Sequence, residues 1–576
     1  MVRLLLFSVL IVSTLFYSCG KKEEKDTRPI SSKSGGKIVI AEIAKPLSLF
    51  PQKLTRIEEA LICNQIYEPL IRLNAKTLDL IPALAEKWEV SPDGKHITFY
   101  LRKGVRFQDD ACFDGGKGRE ITTADVKFTF EKLCRESEDN FHFYTICSDR
   151  IVGAKEFNEA MQRYKEGDKK PEIKGLKIID DYTFSIDLQY PNYHSFLQLL
   201  ATPIAAIIPK EGYEKYKDKL DFGAGPYRID KTSSNEQQLV LVKNPHYYAV
   251  DKEGYALPYI DTIVIRYFES TEDAIIAFLN HQVDVVNDVP NNAAKRVVEQ
   301  HINSFQKVPP EYIIDMTSQM FVQYVLINTH LPPFDNIKVR NAVNYALDRN
   351  KIIEKAFNGQ ALPGIYGITP PAFKDYDITQ LKGYDFNIQK AKELLAKAGY
   401  PNGQGFPTVT IYTNKGFSKT QAAINELQRQ LKENLNINVI FESLPLDIKF
   451  RLEQKNKGHF FRQGWVADFP SPENFLSIFY GKHVTLDTNK VYFPNTQRYI
   501  NPIFDEYYEK GRDAVNKDSA YKYFMQAEQI LLDDAPMIVL WYEASYRLYH
   551  NKIKDFYMNP MRYYDLRIAY IEKNEK

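Results

Sequence analysis

Residues 408–413 and 438–444 read as strands, and residues 417–435 between them as one long helix. Two strands joined through a helix lie parallel, because parallel pairing needs a long crossover. Parallel strands sit inside α/β folds, with helices packed on the sheet. Ligands of such sheets bind beyond the carboxyl ends of the strands. A chain with this unit is therefore expected to carry its chemistry on a loop that follows a strand.

One stretch meets that requirement: Gly464-Trp465-Val466-Ala467-Asp468-Phe469-Pro470-Ser471-Pro472. It follows the apolar run His459-Phe460-Phe461 and precedes a helix-like segment from Pro472 to Leu476. Asp468 stands where the strand ends and a loop punctuated by proline begins. A lone carboxylate among aromatic residues is costly to bury unless a cation neutralises it. Two readings follow. Asp468 caps the next helix, or it faces the cation of a ligand enclosed in a cleft.

The chain has 576 residues, enough for roughly three or four domain-sized units. Its 75 basic and 74 acidic residues nearly cancel, so nothing favours nucleic acid, which wants a basic face. Gly223-Ala224-Gly225-Pro226-Tyr227 is Gly-rich, but no phosphate-loop motif occurs and no helix follows it directly. No His cluster has metal-ligand spacing, so neither a metal nor a cofactor is expected. Nucleophile and zincin signatures are missing too. An exported hydrolase would have to rest on Asp468 and a second carboxylate, as in glycoside cleavage.

The first 18 residues have a basic start and an uncharged apolar run, too short to span a bilayer comfortably, as in a signal peptide. Ser18-Cys19-Gly20 resembles a lipoprotein processing site, with Cys19 as the lipidated residue. Residues 19–35, charged and then Ser/Gly-rich, are expected to be a flexible tether. Four further cysteines remain: Cys63, Cys112, Cys134 and Cys147. An oxidising compartment permits disulfides, and Cys134 with Cys147 is the preferred pair.

Elsewhere strands are expected at 37–43, 97–102, 183–188, 238–243 and 262–268, and helices at 58–71, 271–280, 387–398, 501–515 and 519–533. Pro92-Asp93-Gly94 marks a hairpin turn, and Thr122-Thr123-Ala124-Asp125-Val126 opens a helix. Apolar strands at 318–328 and 536–541 suit a crossing between two bodies. Residues 339–349 form a core helix, with apolar side chains at 339, 342, 343, 346 and 347.

Gly464-Trp465-Val466-Ala467-Asp468 and its following prolines resemble a signature of the family-5 extracellular solute-binding proteins, the peptide and nickel receptors of ABC importers. Ser471 stands where that signature has a second Asp. The hairpin at 84–107, Gly223 to Tyr227 and the helix at 339–349 resemble three more family motifs, in family order. The resemblance implies an α/β fold of two lobes, a type II periplasmic-binding-protein fold of the large cluster, with an accessory domain on the first lobe. Lobe I would comprise 36–76, 208–305 and 544–576, the accessory domain 77–207, and lobe II 306–543.

It further implies a short peptide held between the lobes. Asp468 would meet its α-ammonium, the main chain of Gly464 and Val466 would pair with its backbone, and Arg462 would serve its carboxyl end. Trp465 would wall the site, and Ala44 and Lys45 match positions near family ligand contacts. A monomeric, non-enzymatic lipoprotein on the periplasmic side of the envelope would deliver the peptide to an inner-membrane ABC permease. A nickel chelate, haem or a glycan on the same fold is the alternative ligand.

Overall fold

Two long strands, Tyr312–Ile327 and Met537–His550, run side by side through the molecule. They pair antiparallel from Tyr312 opposite His550 to Leu326 opposite Met537. Both exceed the apolar runs that mark them in sequence. Asp315 and Thr317 interrupt the first, and its opening half is only partly buried, so hydrophobicity alone does not extend it that far. The computed structural model describes residues 28–573, except 139, 358–360, 415–417, 456 and 485–494. The signal segment and Cys19 lie outside the described residues.

Among the described residues the crossing pair is the middle of an eleven-stranded sheet, in which the short strand Leu362–Pro363 pairs with the second crossing strand outside the main order. On one side lie Phe460–Val466, Val409–Asn414 and Val439–Leu444. On the other lie Val285–Val289, Lys37–Glu42, Thr262–Tyr267, Gln238–Lys243 and Tyr227–Ile229. The expected parallel unit is present: Val409–Asn414 pairs in parallel with Val439–Leu444 across helix Ser418–Leu435. That helix buries Ala423, Ile424, Leu427, Leu431 and Leu435, the i, i+3, i+4 stripe of one packed face. A separate antiparallel sheet runs Ala85–Val90, His96–Leu101, Thr183–Asp187, Leu176–Asp180.

Two large cores divide the molecule. One joins Ile38, Ile263 and Leu241 of the main sheet to Phe99 and Phe184 of the four-stranded sheet. The other gathers Val325, Ile411, Leu427 and Trp541. The four-stranded layer thus shares a core with the first lobe.

Several expectations change. The helix expected over 58–71 spans Ile57–Ile66; residues 67–70 leave it as Pro69 nears, since proline disfavours helix in the residue before it. The tether expected over 19–35 is shorter. Residues 28–35 dock on the first lobe: Ala256 N–H reaches the Pro29 carbonyl at 3.0 Å, Gly35 N–H reaches Tyr259 at 2.8 Å, and Lys33 lies over Tyr570 at 4.8 Å. The expected Cys134–Cys147 disulfide is not formed. Both are buried free thiols, the Cys147 sulfur against that of Cys134, and burial pushes the Cys147 thiol up.

The Gly-rich turn before Tyr227 is a packing device. A Cβ on Gly225 would lie 2.5 Å from the Gln65 carbonyl oxygen and 2.6 Å from Tyr67 N, both fixed backbone at the end of helix Ile57–Ile66. Gly225→Ala is expected to destabilise the first lobe by about 1–3 kcal/mol, read from chemical denaturation.

Candidate functional site

Strand Phe460–Val466 pairs along its length with the crossing strand, Phe460 opposite Ile327 and Val466 opposite Phe321. Among the described residues, its other edge meets Val409–Asn414 only at Phe460 and Phe461. Asn328 N–H reaches the His459 carbonyl, and Ala467 N–H reaches that of Met320, each at 2.9 Å. In an antiparallel ladder the main chain alternates sides. Odd-numbered residues here therefore face the crossing strand, and the backbone of Gly464 and Val466 faces the unpaired edge.

That edge opens on a cavity of about 560 Å³ between the lobes. The volume lies within the ~300–1,000 Å³ typical of ligand pockets. Asp288 and Asn291 line it from the first lobe, and Arg462, Gly464, Val466 and Lys449 from the second. Arg462 is buried rather than solvent-facing, and bonds Asn414 Oδ1 at 3.3 Å and Gln323 Oε1. Burial pushes its guanidinium down to about 10, against the pull of Glu543. Lys449, also buried, donates to the Arg462 carbonyl at 2.7 Å and to Gln463 Oε1 at 3.1 Å. Burial lowers its ammonium to about 8. Two buried cations on one wall suit an anionic ligand group.

Trp465 and Asp468 point to a second, smaller cavity of about 180 Å³. Its wall is shared by Tyr144, Arg150 and Tyr190 of the accessory layer and by Phe469, Glu473 and Tyr480 of the second lobe. Asp468 does not cap the following helix. Glu473–Leu476 has Pro472 at its N-cap with no side-chain cap bond, and Ser471 Oγ accepts the Glu473 N–H at 3.2 Å. Asp468 is instead half-buried. Asn474 Nδ2 donates to Asp468 Oδ2 at 3.2 Å, and Asn474 Oδ1 accepts from Asp468 N–H at 3.2 Å and Trp465 Nε1 at 2.7 Å.

Burial pushes the Asp468 carboxyl above the usual range, opposed by the Asn474 bond and by His142 and Arg150. Burial also lowers the His142 ring, which bonds the Leu54 carbonyl at 2.7 Å. Asp468 forms no salt bridge with a described residue. His142, Tyr144 and Arg150 carry no sequence signal for this role, because they lie more than 300 residues upstream.

Gly464, Val466 and Arg462 thus gather on the larger cavity, and Trp465 and Asp468 on the smaller. Ala44 and Lys45 line neither, and Lys45 is held to Glu236 at 2.8 Å. Among the described residues, no group of three or more His, Cys, Asp or Glu side chains is placed to hold a metal, and no helix is long and apolar enough to cross a membrane.

Residues 79–485 match the model of the bacterial extracellular solute-binding proteins, family 5 (middle). The chain belongs to this family. As a family-5 solute-binding protein it is 26% identical over 513 residues to heme-binding protein A of Haemophilus influenzae, covering 87% of this chain and 86% of the relative. It is 25% identical over 509 residues to the dipeptide-binding protein of Escherichia coli, covering 86% and 87%. Among solved structures it resembles the periplasmic binding protein DppA of Helicobacter pylori in complex with the peptide STSA. There the TM-score is 0.70 at 24% identity, over 94% of this chain and 99% of the other. The fold is the two-lobe one of these binding proteins, and family-5 members are substrate-binding receptors of transport.

Proposed function

We propose that this family-5 solute-binding protein captures short peptides, extended, between its lobes and delivers them to an ABC permease. One observation carries the reading: the half-buried Asp468 carboxylate, raised by burial against the more distant pull of Arg150, has no salt-bridge partner among the described residues. The α-ammonium of a peptide supplies one. The outward backbone of Gly464 and Val466 then adds the ligand as a strand, which gives affinity without reading side chains. Arg462, backed by Lys449, receives the carboxyl end, and Trp465 packs as a wall. The reading makes no use of Ala44 or Lys45.

The envelope assignment is part of the proposal. Residues 1–18 are removed, Cys19 is acylated, and a monomer held by a short tether works on the periplasmic side beside an inner-membrane permease. The lobes divide at 36–76, 208–305 and 544–576 for the first, 77–207 for its accessory domain and 306–543 for the second. The protein binds and does not catalyse.

Native mass spectrometry of freshly purified protein tests the ligand class. Short peptides released on denaturation are expected. A haem, a metal chelate or a glycan in their place removes the peptide reading.

Affinity depends on pH with a definite sign. The ammonium binds the ionised carboxylate, so affinity falls as acidification protonates Asp468. Because burial raises that group, the fall begins above the normal aspartate range. The ligand amine loses its proton above about 7.7–8.0, which sets the alkaline limb. Calorimetry of trialanine across this range is expected to give a bell, and Asp468→Asn to remove its acid limb.

A further inference from the structure

Residues 468–473 of the second lobe seat themselves in the first. Phe469 is 2% exposed and belongs to the first lobe's core, not to that of its own lobe. Arg150 lies over its ring at 5.4 Å. The Pro470 carbonyl accepts from Gln198 Nε2 at 3.1 Å. Glu473, buried, accepts from Arg150 Nη2 at 3.1 Å and from the Ser195 hydroxyl. Nearby, Arg512 of the second lobe stacks on Tyr190 at 3.8 Å. Every partner (Arg150, Tyr190, Ser195 and Gln198) comes from the segment that carries the four-stranded layer.

We propose that Phe469, Pro470 and Glu473 are a latch between the lobes, so that the loop presenting Asp468 to the ligand also sets how long the cleft stays shut. Opening must rehydrate the Phe469 ring and separate the Arg150–Glu473 pair, leaving each charge without its partner. Ligand at Asp468 holds the same six-residue loop, so ligand and latch strengthen each other. Contacts made only after closure act on dissociation rather than encounter. Arg150 and Glu473 are positioning residues in this scheme, and neither need touch the ligand. The proposal rests on the reading of ligand capture between the lobes given above.

The test uses the full chain, Glu473→Gln, Arg150→Met and the double variant, with stopped-flow kinetics of trialanine. Glu473→Gln keeps the side-chain volume and an acceptor for Ser195, so it removes the charge without opening a cavity. Each single change is expected to raise the dissociation rate at least about tenfold and to alter association by less than about threefold. The double variant is expected to release no faster than the faster single one, because both remove one interaction. Unchanged dissociation rates, or single effects that multiply in the double variant, overturn the latch. Thermal melting confirms that each variant folds, and should Arg150→Met fail to, the Glu473→Gln rates decide alone. If trialanine does not bind the wild type, the peptide reading falls, and small-angle scattering of the ligand-free chains decides the latch. A larger radius of gyration for Glu473→Gln than for the wild type supports it; equal radii overturn it.

Discussion

Asp468→Ala is expected to raise the dissociation constant for a short peptide such as trialanine at least about a hundredfold. Taking one partner from a buried ion pair costs roughly 3–5 kcal/mol, since the other charge stays desolvated and alone. Each ~1.4 kcal/mol is tenfold in affinity. Asp468 is half-buried before ligand arrives, which places the expected loss toward the lower end of that range. Two features make the variant informative. The carboxylate caps no helix, so its loss frays no element. Its bond partner Asn474 keeps the Trp465 indole N–H as a donor to Oδ1, so the loop stays tied to the strand. Calorimetry reads the loss directly, and a melting temperature within a few degrees of the wild type confirms that affinity rather than folding has changed.

The second large effect lies in the first lobe, at residues that line neither cavity. Glu68 and Arg72 have side chains with 0% exposure. Arg72 grips Glu68 with two parallel bonds, Nε to Oε1 and Nη2 to Oε2, each 2.9 Å. Tyr248 OH donates to Glu68 Oε1 at 3.0 Å. Arg72 also donates to the carbonyls of Asn64 and Tyr67, each at 3.2 Å, and to Tyr563 OH at 3.3 Å. It thus ties the end of helix Ile57–Ile66 to the chain's last segment. Arg72→Met fills the stem but strands the carboxylate, and is expected to cost about 3–5 kcal/mol in urea denaturation. Adding Glu68→Leu is expected to restore most of that, because replacing both members of a buried pair by apolar groups is often near neutral. A double variant as unstable as the single one would show that the stranded carboxylate is not the source of the loss.

What is legible in the sequence follows from which signals are local. The parallel unit at Val409–Leu444 was legible because its two periods, alternating and helical, change within a few residues. The place of Asp468 was legible for the same reason: a strand ends and prolines begin. The residues alone favour its alternative role as a cap, and the Pro472 N-cap and the Ser471 bond to Glu473 N–H decide against it. The partners of the loop were not legible. Arg150, Ser195 and Gln198 reach it from the accessory layer, through tertiary packing that leaves no periodic trace. Proximity in sequence also misled at Cys134 and Cys147, which pack together as thiols without a bond. Residues 28–35 looked disordered by composition, yet backbone bonds to Ala256 and Tyr259 hold them, contacts no window of eight residues contains.

The most direct measurement compares trialanine with N-acetyl-trialanine by calorimetry on the wild-type chain. Acetylation removes the ligand's positive charge and leaves its backbone and carboxyl end unchanged. If Asp468 is neutralised by the ligand's ammonium, trialanine binds and the acetylated peptide shows no detectable heat. Equal affinities for the two peptides would contradict that pairing.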